Sequence, residues 1–258
     1  MAQHEVHHHL GAHETSFWPL PVGIGVLLLP IALTSYFAWH QPILGLVLGG
    51  VSVLLMVFGL IGWADEFFKK GHEEGLGSLA ITLFIATEVI IFGTMFAAFW
   101  TARVTHADIW HSWVPHMNFV IPAILTLILW ASSFTILISE KSAEGGRRGS
   151  SILWLIATLF LGIAFVVIHF NEWQHLWHEG FTLSSNMYGT GFYALTGIHT
   201  SHVIVGLISQ LYVLWLLLSG RMSSHRTTMF KAVSIYWHFV DLMWLLVASS
   251  AYIIGGLV

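Results

Sequence analysis

The chain has 258 residues, a formal net charge of −4, and a composition that is 56% hydrophobic and only 9% charged. Soluble domains carry about a quarter charged residues, so an ordinary water-soluble domain is excluded and a membrane protein is indicated. The absence of Cys excludes disulfides, thiolate metal sites and iron–sulfur centres, leaving His, carboxylate or Met for any redox metal, and nine scattered Lys and Arg leave no nucleic-acid footprint.

In chain order, residues 1–15 form a tail holding His4, His7, His8, His9 and His13. No basic segment and cleavable apolar run lie within it, so it is expected to be a cytoplasmic tail rather than a removable signal. Its irregular His spacing allows incidental metal binding but defines no site. A bilayer core takes about 20 apolar residues per helix. Seven runs of that kind follow, at 20–39, 42–63, 78–103, 119–139, 151–172, 190–218 and 234–257. The fold class is therefore all-α and polytopic, with seven transmembrane helices. The polar stretch from Ala64 to Gly77 divides a two-helix unit with its linker (16–75) from a five-helix bundle (76–258). Gly45, Gly49, Gly59 and Gly62 in the second run offer close approach to a neighbouring helix.

Lys and Arg accumulate in short cytoplasmic loops. Lys69, Lys70, Lys141, Arg147, Arg148, Arg221, Arg226 and Lys231 fall in alternate loops, and only Arg103 falls on the opposite side. That bias predicts an N-in, C-out orientation. No internal repeat is visible, which argues against the related halves of many secondary transporters.

Ionisable residues at membrane depth are costly and mark candidate sites. Glu88, in the third run, sits among Phe84, Ile85, Ile91 and Phe92. Two readings stand for it, a proton-related carboxyl and a hydrogen-bonded packing device. His169 and Glu172 share a face near the end of the fifth run. Glu172-Trp173-Gln174-His175 spells one half of a di-iron motif, but the only other copy, Glu5-x-x-His8, is in the tail, so a di-iron centre is not expected. His199 and His202 in the sixth run, and His238 with Asp241 in the seventh, are further pairs. Each pair has the means to ligate haem or copper or to hydrogen-bond between helices, and Asp241 is placed to orient His238 across one turn.

Five segments resemble subunit III of the haem–copper cytochrome c oxidases. Trp18-Pro19-Leu20-Pro21 resembles the start of that family's first helix. Phe84-Ile85-Ala86-Thr87-Glu88-Val89, followed by Ala98-Phe99-Trp100, is similar to its Ser-Glu-Val helix. The stretch from Glu172 to Gly189, with Phe181-Thr182-Leu183-Ser184 and Tyr188-Gly189, resembles its Phe-Thr-Ile-Ser and Tyr-Gly run. Most specific are Thr196-Gly197-Ile198-His199-Thr200-Ser201-His202-Val203 and Tyr236-Trp237-His238-Phe239-Val240-Asp241, the latter followed by Trp244.

The resemblance implies a chain with no redox centre and no metal, in which Glu172, His199, His202, His238 and Asp241 are structural polar clusters. Haem and copper would be in partner subunits, with direct packing on subunit I, further contacts to subunit II and other subunits, and cytochrome c as the substrate of the complex. It implies that Glu88 is the carbodiimide-reactive carboxyl, that phospholipids are bound, with Trp63, His72, Arg221 and Arg226 as headgroup candidates, and that the subunit supports proton uptake. The implied location is a bacterial cytoplasmic membrane. Lys231 stands where the family commonly has Glu, Ser185-Asn186 replaces Asp-Gly, and two extra residues lie between Glu172 and Glu179. The alternatives are a homologue in a quinol oxidase or nitric oxide reductase system and, from another class, a stand-alone channel or transporter. A retinal protein is excluded because 234–257 contains no Lys.

Overall fold

A computed structural model describes residues 17–37, 39–70, 76–117, 119–222 and 227–256. Among them are seven α-helices, each with a segment long and apolar enough to cross a membrane. They are α1 (Pro19–Phe37), α2 (Pro42–Lys70), α3 (Leu76–Thr105), α4 (Val120–Glu144), α5 (Arg148–His178), α6 (Met187–Leu218) and α7 (Thr228–Ala248). The tail histidines lie outside the described residues.

Several of the helices overrun the apolar spans. α2 continues through the charged segment to Lys70, α5 runs past Glu172 to His178, and α7 begins at Thr228, ahead of the expected 234. Hydropathy registers where the chain leaves hydrocarbon, whereas the helix ends where its hydrogen-bond ladder is stopped. For α4, α5 and α6 the stops are Gly146, Gly180 and Gly220, all at φ between 70° and 83°. In each case the residue after the glycine donates back over the last turn, as Arg147 N–H to the Ser142 carbonyl (2.8 Å), Phe181 to Leu176 (2.9 Å) and Arg221 to Leu216 (3.1 Å).

The chain divides into two compact units, residues 1–73 and 74–258. In the first, α1 and α2 are antiparallel. A Cβ at Gly25 would lie 2.8 Å from the Ser52 carbonyl, and one at Gly45 would lie 2.9 Å from the Ala32 carbonyl. Glycine is required there because the opposing atoms are backbone. Gly59 and Gly62 face Val22 and Trp18, as their spacing suggests, whereas Gly49 has ordinary room.

In the second unit, α3, α6, α5, α4 and α7 follow one another around a closed ring, with α6 and α7 also in contact across it. α7 is the most enclosed, with 56% of its span buried against 11% for α3. Trp237 and Trp244 explain why. The Trp237 indole donates to Ser132 Oγ (2.9 Å), and its ring fills space that a Cβ on Gly206 or Gly162 would occupy. The Trp244 indole donates to Thr126 Oγ1 (2.9 Å). Hydroxyls join α4 to α5, with Ser139 Oγ donating to the Ser151 carbonyl (2.6 Å) and Thr135 meeting Thr158 at 2.8 Å. Small and hydroxylated residues at helix contacts are how membrane helices associate when lipid is as apolar as their side chains.

Candidate functional site

Glu88 of α3 is buried, and its Oε2 lies 2.8 Å from Nε2 of His202 on α6. His202 comes from the middle of a 32-residue helix. Its ring packs against Phe92, with centroids 5.0 Å apart, and it is backed by Tyr236, whose hydroxyl donates to the His202 carbonyl at 3.2 Å. The other ring nitrogen, Nδ1, is 2.7 Å from the Ile198 carbonyl. A carbonyl only accepts, so Nδ1 carries a hydrogen. Nε2 of the neutral ring is then an acceptor, and Glu88 faces it as the protonated acid. With the ring doubly protonated, Glu88 faces it as the carboxylate. In both arrangements one proton lies between Oε2 and Nε2, and the pair has no net charge to present to hydrocarbon.

A second cluster surrounds Glu172 near the end of α5. Tyr252 Oη donates to Glu172 Oε2 at 2.7 Å, and His169 Nδ1 is 3.3 Å from the same oxygen. Tyr252 lies in a π-helical turn, Ser249–Ile254, that continues α7. The carbonyl of Ala251 in the same turn accepts from Tyr188 Oη at 2.8 Å. This widened turn carries no hydropathy signal, and Tyr252 is a site residue that sequence reading missed. Glu172 also lines an open cavity of about 310 Å³ with His116, Asn171 and His175. His175 pairs with Glu179 at 3.6 Å instead of joining Glu172. His199 is fully buried, between Phe165 and Trp244.

The third carboxyl, Asp241, does not hydrogen-bond to His238. Its Oδ2 accepts from Ser133 of α4 at 2.8 Å, a partner supplied by the neighbouring helix. Among the described residues no three His, Asp or Glu side chains converge as a metal set.

Of the headgroup candidates, Arg221 stacks over the Trp215 indole at 4.7 Å to the ring centroid, just beyond α6. Trp63 is on α2 with its side chain outside the described set, and His72 and Arg226 lie outside the described residues. Lys231, which stands in place of the family's Glu, pairs with Glu144 at 2.7 Å and so ties the start of α7 to the end of α4. Asn186, in the segment that replaces Asp-Gly, caps α6 by accepting from Gly189 N–H at 2.8 Å and donates to the Trp113 carbonyl at 3.3 Å.

Comparison with known proteins agrees along the chain. The family model described as cytochrome c oxidase subunit III matches residues 7–256. Cytochrome c oxidase subunit 3 of the squid Heterololigo bleekeri is 30% identical over 253 residues, covering 93% of this chain and 95% of that protein. The subunits 3 of the fungus Allomyces macrogynus and of Drosophila melanogaster are each 31% identical over 258 residues, covering 94% of this chain and 92% and 95% of those proteins. With seven membrane-length helices and matches of this extent, the chain is an integral membrane protein and belongs to the cytochrome c oxidase subunit III family.

Proposed function

We propose that this chain is the subunit III of a proton-pumping haem–copper oxidase complex that oxidises cytochrome c and reduces oxygen to water. It holds no redox centre of its own, stabilises subunit I, binds phospholipid and supports proton uptake. The haem and copper belong to the partner subunits. The N-terminus is cytoplasmic, as the Lys and Arg distribution implies. The relatives to which the chain is similar are animal and fungal, so they lend the expected bacterial cytoplasmic membrane no support, and the location proposed is a respiratory membrane.

The observation that carries the proton-related part is the Glu88–His202 pair. A carboxyl and an imidazole sharing one proton at 2.8 Å can pass that proton between Oε2 and Nε2 with no change in the pair's net charge, so the transfer leaves no lone charge in hydrocarbon. With Nδ1 engaged by Ile198, the arrangement with a neutral ring has the proton on the Glu88 carboxyl, the form that reacts with a carbodiimide. Arg221, 4.7 Å over the Trp215 indole just beyond the end of α6, supports the lipid-binding part, since a cation at the end of a membrane helix suits a lipid phosphate.

The test is isolation of the native complex through this chain. The expected product shows haem absorption and further subunits. Hydrophobic carbodiimide is expected to label Glu88, the label being lost in Glu88→Gln, with oxygen reduction largely retained and proton pumping or turnover lifetime altered. A chain that purifies without haem, and alone moves an ion or solute in liposomes, would instead be a channel or transporter.

A further inference from the structure

His169 of α5 and His199 of α6 are both fully buried. Among the described residues neither nitrogen of either ring has a hydrogen-bond partner, nor has the indole nitrogen of Trp173. His169 Nδ1 comes within 3.3 Å of Glu172 Oε2 without the alignment of a hydrogen bond. The two imidazoles share their neighbours. Phe165 lies 5.7 Å from each, centroid to centroid, and Trp244 lies 5.6 Å from His169 and 5.0 Å from His199. Neither neighbour can serve them, since Phe165 has no polar atom and the Trp244 indole already donates to Thr126. Trp173 is 4.9 Å from His169. At 1.5 Å per residue, Glu172 is about 9 Å and His169 about 14 Å from the end of α5, and His199 is about 18 Å from the start of α6, so the three descend from one membrane face.

Buried polar groups of folded proteins are paired with the chain or with ordered water. A neutral imidazole carries one donor and one acceptor, so these two rings ask for a ligand that both donates and accepts and is small enough to lie among close-packed aromatics. A metal ion does not fit, because among the described residues no three His, Asp or Glu side chains converge. An apolar ligand would leave the nitrogens unserved. Glu172 lines the open cavity of about 310 Å³ and also touches His169, so it stands where the cavity meets the buried rings. We infer that His169, His199 and Trp173 bind a buried line of water molecules that enters from this cavity past Glu172. His202, one turn further along α6, has its two nitrogens engaged by Ile198 and Glu88, so the line ends at His199. An imidazole that gives a proton to water at one nitrogen takes one from water at the other and stays neutral. The outer rings therefore exchange protons with the cavity, and the Glu88–His202 pair takes no part. The site is complete within this chain and stands whether or not the oxidase reading does.

The test is a cryo-electron microscopy map of the native preparation, at a resolution that shows ordered water, with hydrogen exchange as a second readout. The expected map has water density within hydrogen-bond distance of nitrogens of both His169 and His199. Rings bonded only to groups of the protein, or no water at either, would overturn the inference. For exchange, the infrared bands of the two imidazoles are assigned by their loss in His169→Phe and His199→Phe, variants that put an apolar ring in an apolar setting. On transfer of the wild-type protein to D₂O those bands are expected to shift well before the indole of Trp237, which is equally buried but bonded to Ser132. Imidazole bands that shift no sooner than that indole would also overturn it. The map and the wild-type exchange order need no variant to fold.

Discussion

The two units solve the same problem, helix association without water, in opposite ways. α1 and α2 meet through backbone, with Gly25 and Gly45 allowing main-chain atoms of the facing helix to within 3 Å of where a Cβ would be. The five-helix unit meets through side chains, with indoles, phenols and hydroxyls reaching across its ring and Trp237 and Trp244 completely enclosed. Backbone packing needs no chemistry beyond smallness and leaves nothing to titrate. Side-chain packing brings carboxyls, imidazoles and hydroxyls to membrane depth, and the clusters around Glu88, Glu172 and Asp241 are all in that unit.

The contrast is sharpest where packing is removed or forced. Trp237→Ala empties the centre of the five-helix ring, leaves Ser132 without its donor and uncovers Gly206 and Gly162. Truncations of this type cost about 3–5 kcal/mol. The expected outcome is a complex whose thermal midpoint, followed by haem absorption, falls further than in Gly45→Val, Tyr252→Phe or Ser52→Ala. In the first unit the equivalent injury is Gly45→Val, which drives a branched side chain into the Ala32 carbonyl and the Tyr36 backbone. Overpacking costs about 1–3 kcal/mol. It is expected to speed protease nicking of the first unit while leaving cleavage of the second unchanged. If both units lose stability together, they do not pack independently and the contrast between them is wrong.

Much of this arrangement was legible in the sequence because hydrocarbon imposes strict rules. Seven apolar runs gave seven helices, and Gly45, Gly59 and Gly62 were recognisable as close-approach positions. Glu88 stood out as a carboxyl among apolar residues with no basic residue on its own helix closer than Arg103. Its partner did not, because His202 is 114 residues away on α6, and local spacing is blind to pairs made by tertiary contact. For the same reason His238 was the natural partner for Asp241 by spacing, yet Ser133 of α4 takes that place. Helix ends were misplaced where polar residues continue a helix beyond the apolar span, as from Trp173 to His178. The π turn that delivers Tyr252 leaves no mark in composition, since a wider turn uses the same apolar residues as an α turn.

Smaller changes separate the two packing modes more finely. Tyr252→Phe keeps the ring among Phe192 and Trp244 and removes only the hydroxyl that donates to Glu172. Glu172 then retains His169 at 3.3 Å as its remaining polar neighbour. A buried acceptor deprived of its donor costs about 1–3 kcal/mol. A lowered thermal midpoint is expected, together with a shift of the carboxyl stretch of Glu172 in infrared difference spectra. An unchanged carboxyl band would show that the 2.7 Å contact contributes nothing to holding Glu172.

The smallest effect is expected for Ser52→Ala, which removes a side-chain bond between α1 and α2, from Ser52 Oγ to the Gly25 carbonyl at 2.7 Å. The geometry is as good as that at Glu172, and both hydroxyls are buried, yet the consequences differ. Gly25 lies inside α1, where a carbonyl already accepts from the N–H four residues on. Removing the serine hydroxyl therefore deprives no buried group of its only partner, and the Ala methyl still fits beside Gly25. Hydrogen bonds between membrane helices average about 0.6 kcal/mol in mutant cycles, so Ser52→Ala is expected to shift the thermal midpoint by less than half as much as Tyr252→Phe. A larger loss for Ser52→Ala than for Tyr252→Phe would mean that α1 and α2 depend on that hydroxyl rather than on backbone approach at Gly25 and Gly45, and the contrast between the two units would then fail at its base.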